Sequence, residues 1–275
     1  MSSILTNNSA MVALQTLKSV NTNLAKTQDM ISTGKDIATA KDNSAIFAIS
    51  KVMESDVSGF KAVSDSLSLG ESTVAVASAG AEQITNLLNE IKEKVVAATG
   101  ENVDHTKISA DVTELTNQVN SIVSASQFNG ANLLNTAGGN ITVLSSLDRD
   151  AGGTVTASNI TVASVDFEAN LDLSDIDVSS ATAADGSLAN IETHIQTAVD
   201  GAAALGASAK RISDQNEFVG KVTDAIKSGI GSLVDADMEE ASAQLQALQV
   251  QQQLATQSLS IANQAPQAIL SLFRG

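Results

Sequence analysis

The stretch ISTGKDIATAKDNSAIFAIS, residues 31–50, separates two regions of helical periodicity and so decides how the chain is laid out. Gly34 follows the last apolar position of the first region, and glycine is the residue type that most often ends a helix. Small and charged residues fill positions 35–44, and an apolar run at 45–49 begins the second region. We interpret the stretch as a joint between two helices rather than as a ligand-binding loop.

Before the joint, the sequence predicts one helix with a heptad seam, because its members recur at alternating steps of four and three. The seam consists of Ala10, Leu14, Leu17, Asn21, Leu24, Gln28 and Ile31. Polar residues at such positions can specify the register and number of partner helices. They are equally compatible with a seam that is partly lined by solvent, and both interpretations stay open.

After the joint, the same alternation continues through two further segments. The first carries Ala77, Ala81, Ile84, Leu88, Ile91, Val95 and Ala98, and the second carries Ile108, Val112, Leu115, Val119 and Ile122. Only a short loop around residues 100–105 separates them, so we expect two antiparallel neighbouring helices.

The C-terminal third contains three more seams. They are Leu188, Ile191, Ile195, Ala198, Ala202, Leu205, Ala209 and Ile212; Val219, Val222, Ile226, Ile230 and Leu233; and Ala241, Leu245, Leu248, Gln252, Ala255, Leu259 and Ala262. The last seam predicts a helix from about residue 236 to about residue 263, roughly 40 Å long. We expect this helix to end near Pro266, because the residue before a proline disfavours helix.

Residues 136–186 have a different character. Glycine pairs separate β-branched runs at 140–144 and 154–162, which predict short strands joined by turns. Acidic side chains are abundant here, and Asp172, Asp175 and Asp177 raise the possibility of a calcium loop. The glycine and the terminal glutamate of an EF-hand loop are missing, so we interpret this segment as a solvated acidic insert.

Composition excludes several functional classes. The 275-residue chain has no cysteine, which excludes disulfides, thiolate metal sites and a cysteine nucleophile. Its formal net charge of -16 makes nucleic acid an unlikely partner. No stretch has the apolar length of a membrane span, and the first residues lack the pattern of a cleavable signal peptide. We therefore expect no membrane insertion and no such signal.

A search for catalytic chemistry finds little. The two histidines, His105 and His194, lie outside any nucleophile or metal motif, and no phosphate-binding or dinucleotide-binding loop occurs. We predict structural roles for both histidines, and neither enzyme activity, a metal nor a cofactor for the chain. The two terminal helices could pair with each other, but a two-helix pair leaves apolar surface in water, so we expect other subunits to cover it.

Three motifs carry a resemblance to bacterial flagellins. Residues 31–50 resemble the flagellin signature L-S-S-G-x-R-I-N-S-A-K-D-D-A-A-G-x-A-I; the matching positions are Ser32, Gly34, Ile37, Ala40, Lys41, Asp42, Ala45, Ala48 and Ile49. Residues 127–134 resemble the motif Q-F-N-G-x-x-L-L, and residues 235–240 and 262–272 resemble the C-terminal arm of the family. The resemblance covers about residues 1–135 and 187–275, in the family's order.

The resemblance implies a mainly α fold: a long coiled-coil-like helical bundle with paired N- and C-terminal helices and a small β-rich insert. Residues 1–34 and 236–275 would form an inner terminal coiled coil. Residues 35–135 and 187–235 would form a helical rod with a linking spoke at 35–43, and residues 136–186 a short variable surface insert with β-hairpin character. The implied assembly residues are Leu14, Leu17, Asn21, Leu24, Ile31, Leu245, Leu248, Gln252 and Leu259, and the implied spoke residues are Gly34, Lys35, Lys41 and Asp42.

The implied function is that of a structural subunit that self-assembles into the helical flagellar filament used for swimming. Such a subunit is extracellular and is exported without a cleavable signal peptide. Its partners would be other copies of itself and the export chaperone, the cap and the hook-junction proteins. A hook-filament junction protein of the same architecture is the alternative. From another class, a helical adhesin or signalling coiled coil would differ in having ordered ends as a monomer.

Two departures from the family pattern carry expectations of their own. Asp36 stands where the signature has arginine, which puts any contact of that arginine in doubt. In the helix that many flagellins present to the Toll-like receptor as L-Q-R-V-R-E-L-A, residues 88–95 read LNEIKEKV, so Glu90 replaces an arginine and Lys94 a leucine. Since these are hot-spot positions in the resembled motif, we expect weak or no receptor activation.

Overall fold

The computed structural model describes residues 7–150 and 152–272, and the side chains of residues 265–272 lie outside this description. In chain order, the elements are α1 (Asn8–Thr33), α2 (Ser44–Ala98), α3 (His105–Ala125), β1 (Ile141–Arg149), β2 (Val155–Val162), α4 (Phe167–Asn170), α5 (Ala181–Val234) and α6 (Met238–Leu272). The prediction of a mainly α chain with a small β-rich insert is confirmed. Within the described part, no helix is both long and apolar enough to cross a membrane.

The chain divides into two compact units. One comprises Met1–Ser55 and Ala225–Gly275, and the other comprises Asp56–Asp224. Residues 1–6 and 273–275 of the predicted inner domain lie outside the described residues.

The core of the 56–224 unit includes many positions of the seams predicted from the sequence, together with apolar residues outside them such as Leu67, Leu134 and Phe167. All seven predicted α2 positions, from Ala77 to Ala98, are at most 1% exposed, and Val112 and Val119 of α3 are also buried. From α5, Ile191, Ala198 and Ile212 complete the same apolar cluster. Each fully buried Leu or Ile contributes about 1.5–3 kcal/mol, so these repeats account for much of the stability of the bundle.

The insert is an antiparallel hairpin that packs on the helices of its own unit. β1 pairs with β2 from Ile141↔Val162 to Arg149↔Val155. The backbone N–H of Leu144 donates to Ser66 Oγ of α2 at 3.2 Å, and Val143 is buried against α2 at Gly70. At the other end of β1, Arg149 forms an ion pair with Asp56. The predicted strands are therefore present, and β1 is longer than the apolar run that predicted it.

The seams at 188–212 and 219–233 lie on one 54-residue helix, α5. One prediction about a helix end needs correction. The expected end of the last helix near Pro266 is wrong: α6 continues to Leu272. Proline removes one backbone donor from a helix, which leaves the carbonyl four residues earlier without that partner. Here the carbonyl of Ala262 accepts a hydrogen bond from the side chain of Asn7 at 2.7 Å.

Candidate assembly surface

The joint after α1 is a backbone junction with defined hydrogen bonds. Gly34 has φ +69° and its N–H donates to the Met30 carbonyl, which closes α1 in the left-handed conformation that glycine adopts without strain. Asp36 N–H donates to the Val234 carbonyl, and Ala236 N–H donates to the Gly34 carbonyl. Through the isolated bridge Lys35↔Asp235, the joint lies beside the connection between α5 and α6.

Helices α1 and α6 form an antiparallel pair along their length. Asn7 contacts Ala262, Asn21 contacts Gln252, and Lys35 pairs with Asp235. Residue numbers on the first side of these contacts therefore rise as those of their partners fall, as in an antiparallel pair. Asp237 begins α6, since its Oδ1 accepts the N–H groups of Glu239 and Glu240. The glutamates also place negative charge at the positive end of the helix dipole.

The seam of α6 matches its predicted positions. Ala241, Leu248 and Ala255 are buried, and Leu245, Gln252, Leu259 and Ala262 are partly buried. These residues recur every seven positions in two rows, which is the arrangement of a coiled-coil helix.

The seam of α1 matches only one of its two predicted rows. Ala10, Leu17, Leu24 and Ile31 are partly buried as expected. The second row consists of Ala13, Val20 and Thr27, one position earlier than the predicted row of Leu14, Asn21 and Gln28. Val20 and Thr27 are 8% and 2% exposed, whereas Leu14 is 58% exposed. The observed row thus places the small Ala13 toward α6, and Leu14 points to solvent.

The polar seam residues have different environments. Asn21 is exposed but accepts a hydrogen bond from Gln252 Nε2 at 2.7 Å, so the two amides join the helices at the margin of the seam. Gln28 is exposed. Both interpretations of the polar seam residues stay open, because the Asn21–Gln252 hydrogen bond joins the two helices while the exposure of Asn21 and Gln28 fits a partly solvent-lined seam.

A large apolar surface remains on the α1–α6 pair. On α1, Met11, Val12 and Leu14 are 58–61% exposed, and on α6, Val250, Leu254 and Ile261 are 55–70% exposed. Val12, Ala13, Val20, Leu254 and Ala255 also line a groove of about 460 Å³ between the helices. Several large apolar side chains that are more than half exposed on one helix pair are more typical of an interaction site than of a free monomer surface.

The spoke is held by short-range polar contacts. Asp42 Oδ2 accepts from the backbone N–H of Thr39 at 2.9 Å and from its hydroxyl at 3.0 Å. These two hydrogen bonds lower the pKa of the Asp42 carboxyl. Lys35 Nζ lies 3.5 Å from Glu54 Oε1, and Lys41 is exposed. Asn43 Oδ1 then accepts the N–H groups of Ala45 and Ile46, which begins α2.

Asp36 adds negative charge to an acidic depression beside the spoke. It lines a cavity of about 460 Å³ together with Asp235, Asp237, Glu240 and the cation Lys26. The replacement of the signature arginine by aspartate therefore changes the charge of this surface, not only a single contact.

The departures in α2 also lie at the surface. Glu90 is exposed, next to the buried Ile91. Lys94 Nζ pairs with Asp111 Oδ2 of α3 at 2.6 Å. Both charges belong to the solvent-facing side of the bundle, and neither belongs to its core.

Both histidines form hydrogen bonds with the acidic segment around residues 172–178. His194 is 9% exposed, and its Nε2 lies 3.0 Å from Asp175 Oδ1. His105 Nδ1 lies 3.1 Å from the Val178 carbonyl and must donate, since a carbonyl only accepts. Hydrogen bonds from Ser174 and from Ser179 lower the pKa of Asp172 and of Asp177, respectively. Among residues 7–150 and 152–272, no group of three or more potential ligands is placed to hold a metal.

Sequence reasoning missed Asn7, Val20 and Thr27 as contact residues of α1. The signal for Val20 was present, since a valine at 20 fits an alternative heptad phase as well as Leu14 fits the predicted one. Asn7 carries the weaker signal of a preferred N-cap residue before a helix. Its side chain accepts from the N–H of Ala10 at 3.1 Å, which confirms that role.

Comparison with known proteins identifies the relatives of this chain. The model of the bacterial flagellin N-terminal helical region matches residues 4–138, and that of the C-terminal helical region matches residues 188–273. A flagellin of Brucella melitensis is 42% identical over 283 residues, covering 100% of both chains. Flagellin FljM of Caulobacter vibrioides is 40% identical over 279 residues, covering 100% of this chain and 99% of that protein. The crystal structure of Bacillus cereus flagellin has a TM-score of 0.40 and 17% identity, covering 67% of this chain and 94% of that one.

Proposed function

Because the chain belongs to the bacterial flagellin family, whose members are structural filament subunits and not enzymes, we propose that its helices α1 and α6 form the surface through which copies assemble. The chain itself is a self-assembling component of the extracellular flagellar filament. No match favours the alternative of a hook-filament junction protein.

The observation that carries the proposal is the apolar surface left on the α1–α6 pair. Six large apolar side chains of these two helices are more than half exposed. Burying the exposed part of each side chain between subunits would contribute roughly half to two thirds of the about 1.5–3 kcal/mol that full burial gives. If copies meet head to tail through this surface with a rotation that does not close, the contact repeats into an open helical filament.

Aspartate substitutions in the groove test the proposal. We expect Val12→Asp and Leu254→Asp to raise the critical concentration for seeded polymerisation at least about tenfold, since each loses apolar burial and introduces a charge. The measurement is sedimentation of seeded filaments with electron microscopy of the pellet. Val155→Asp is the matched control, because Val155 is 47% exposed on β2 of the insert. Normal polymerisation of both groove variants would disprove the proposal.

We extend the proposal to the organisation of the chain in the filament. Residues 1–34 and 236–275 would form the inner coiled coil, with Leu14, Leu17, Asn21, Leu24, Ile31, Leu245, Leu248, Gln252 and Leu259 as its contact residues. Residues 35–135 and 187–235 would form the rod, and residues 136–186 the outer insert. The heptad seam of the α1–α6 pair and the separate core of the 56–224 unit support a terminal part and a rod part, although residues 35–55 and 225–235 belong to the same compact unit as the terminal helices.

Partners beyond the homopolymer are proposed from family membership. They are the flagellar export chaperone, the filament cap and the hook-junction proteins. For the innate receptor we propose weak or absent activation, because Glu90 and Lys94 present charges where the receptor motif of the family has arginine and leucine. A charge reversal at an interface hot spot opposes binding in addition to removing a contact.

A further inference from the structure

Asn7 uses both ends of its side-chain amide. Its Oδ1 accepts from the N–H of Ala10 and caps α1, while its Nδ2 donates to the carbonyl oxygen of Ala262 in α6 at 2.7 Å. One side chain therefore begins one helix and contacts the backbone of the other. The contact joins residues that are 255 positions apart in the chain.

The carbonyl that Asn7 contacts has a special place in α6. In an α-helix, the carbonyl of residue 262 accepts from the N–H of residue 266. Residue 266 is the sole proline of the chain and has no N–H. Earlier carbonyls of α6, from residue 238 to residue 261, all precede by four positions a residue that has an N–H. The asparagine amide thus reaches the carbonyl whose usual α-helical donor position, four residues later, is occupied by a proline.

We propose that Asn7 is a positioning residue for assembly, which locks the start of α1 to α6 in one register by supplying the donor that Pro266 lacks. The inference rests on the proposed function, in which the α1–α6 pair is the assembly surface. A shift of α1 by one turn would leave the Ala262 carbonyl without this donor and would bring Asn7 to carbonyls that already have one. A single polar contact specifies register in coiled coils by the same logic.

The variant Asn7→Asp separates the lock from the cap. Aspartate caps a helix as well as asparagine does, but its carboxylate has no N–H to donate. Pro266→Ala restores a backbone N–H to the Ala262 carbonyl and makes the outside donor unnecessary. The unmodified protein, the two single variants and the double variant form a double-mutant cycle. The proposal predicts that the effect of Asn7→Asp depends strongly on whether residue 266 is proline.

The deciding measurement is backbone amide exchange at residues 8–16 in assembled filaments. With Pro266 present, we expect Asn7→Asp to speed exchange about fivefold or more, the effect of losing roughly one net hydrogen bond. In the Pro266→Ala background, we expect less than a twofold change. Equal acceleration in both backgrounds, or none in either, would overturn the proposal. If Asn7→Asp prevents filaments, their recovery in the double variant supports the lock and their continued absence refutes it.

Asn8→Asp is the matched control, because it makes the same amide-to-carboxylate change at an exposed position one residue later. We expect Asn8→Asp either to leave amide exchange at residues 8–16 unchanged or to slow it. The coupling is the difference between the effects of Asn7→Asp on amide exchange with and without Pro266. Its outcome does not depend on the outcome of the groove substitutions that test the proposed function. If Val12→Asp and Leu254→Asp polymerise normally while the Pro266-dependent coupling is present, the assembly surface is wrong and the lock is right.

Discussion

Gly201 and Gly206 lie five residues apart in α5 in opposite environments. A β-carbon on Gly201 would lie 2.4 Å from Val165 Cγ1 and 2.7 Å from two ring carbons of Phe167, a side chain that is 1% exposed. A β-carbon on Gly206 would have nothing within 4 Å. The first glycine is therefore required by the packing of the insert, whereas the second only weakens the helix.

Alanine at these two positions gives a prediction at the residue scale. We expect Gly201→Ala to lower the free energy of unfolding by about 1–3 kcal/mol, because overpacking outweighs the gain in helix propensity. Gly206→Ala should raise it by up to about 1 kcal/mol, since only propensity changes. Urea denaturation of the free subunit, followed by circular dichroism, measures both. A shift of the same sign for the two variants would contradict this account of Gly201.

At the scale of elements, the surface of α2 near residue 90 shows how one helix carries two separate tasks. Leu88, Ile91 and Val95 are fully buried and hold the bundle together. Glu90 lies between them on the exposed side, and Lys94 is engaged with Asp111. Because Glu90 is exposed and takes no part in this core, we expect a substitution at position 90 to leave the fold intact.

We therefore expect this flagellin to give little or no response in a Toll-like receptor reporter assay, and Glu90→Arg to increase the response several-fold. The substitution removes a charge of the wrong sign and restores the arginine of the family motif. Glu82→Arg makes the same change at another exposed position of α2 and should have no effect. Strong signalling by the unmodified monomer would refute the proposed loss of recognition.

At the scale of the whole molecule, the hairpin insert and the α1–α6 pair differ in the kind of side chain that they expose. The β2 residues 155–159 are exposed and the insert is rich in acidic side chains, whereas the α1–α6 pair exposes apolar ones. A charged, solvated element suits the outside of a polymer, and an apolar one suits its inside. This contrast supports the proposed arrangement of the chain in the filament.

A short epitope tag tests that arrangement. Inserted between Gly152 and Gly153 in the hairpin turn, it should leave polymerisation unchanged and bind antibody along intact filaments in electron micrographs. The same tag inserted between Ala40 and Lys41, within the spoke, should abolish assembly because it disrupts the Thr39–Asp42 turn. Filaments that bind the antibody only after depolymerisation would contradict an outer position of the insert.

The sequence by itself determined the helices, their buried faces and the β-rich insert. A heptad pattern reports burial directly, since residues three and four positions apart share one face of a helix. The seams of α2, α3 and α6 were therefore readable from one chain, and so was that of α5 except at its end, where Val234 is buried and the predicted Leu233 is 39% exposed. Tertiary structure decided the second row of α1, where Leu14 and Ala13 satisfy the pattern equally well and only the approach of α6 selects the smaller residue. It also decided that α6 continues past Pro266 to Leu272, and it placed the Asn7 amide against the Ala262 carbonyl, a contact across 255 positions that no local pattern reports.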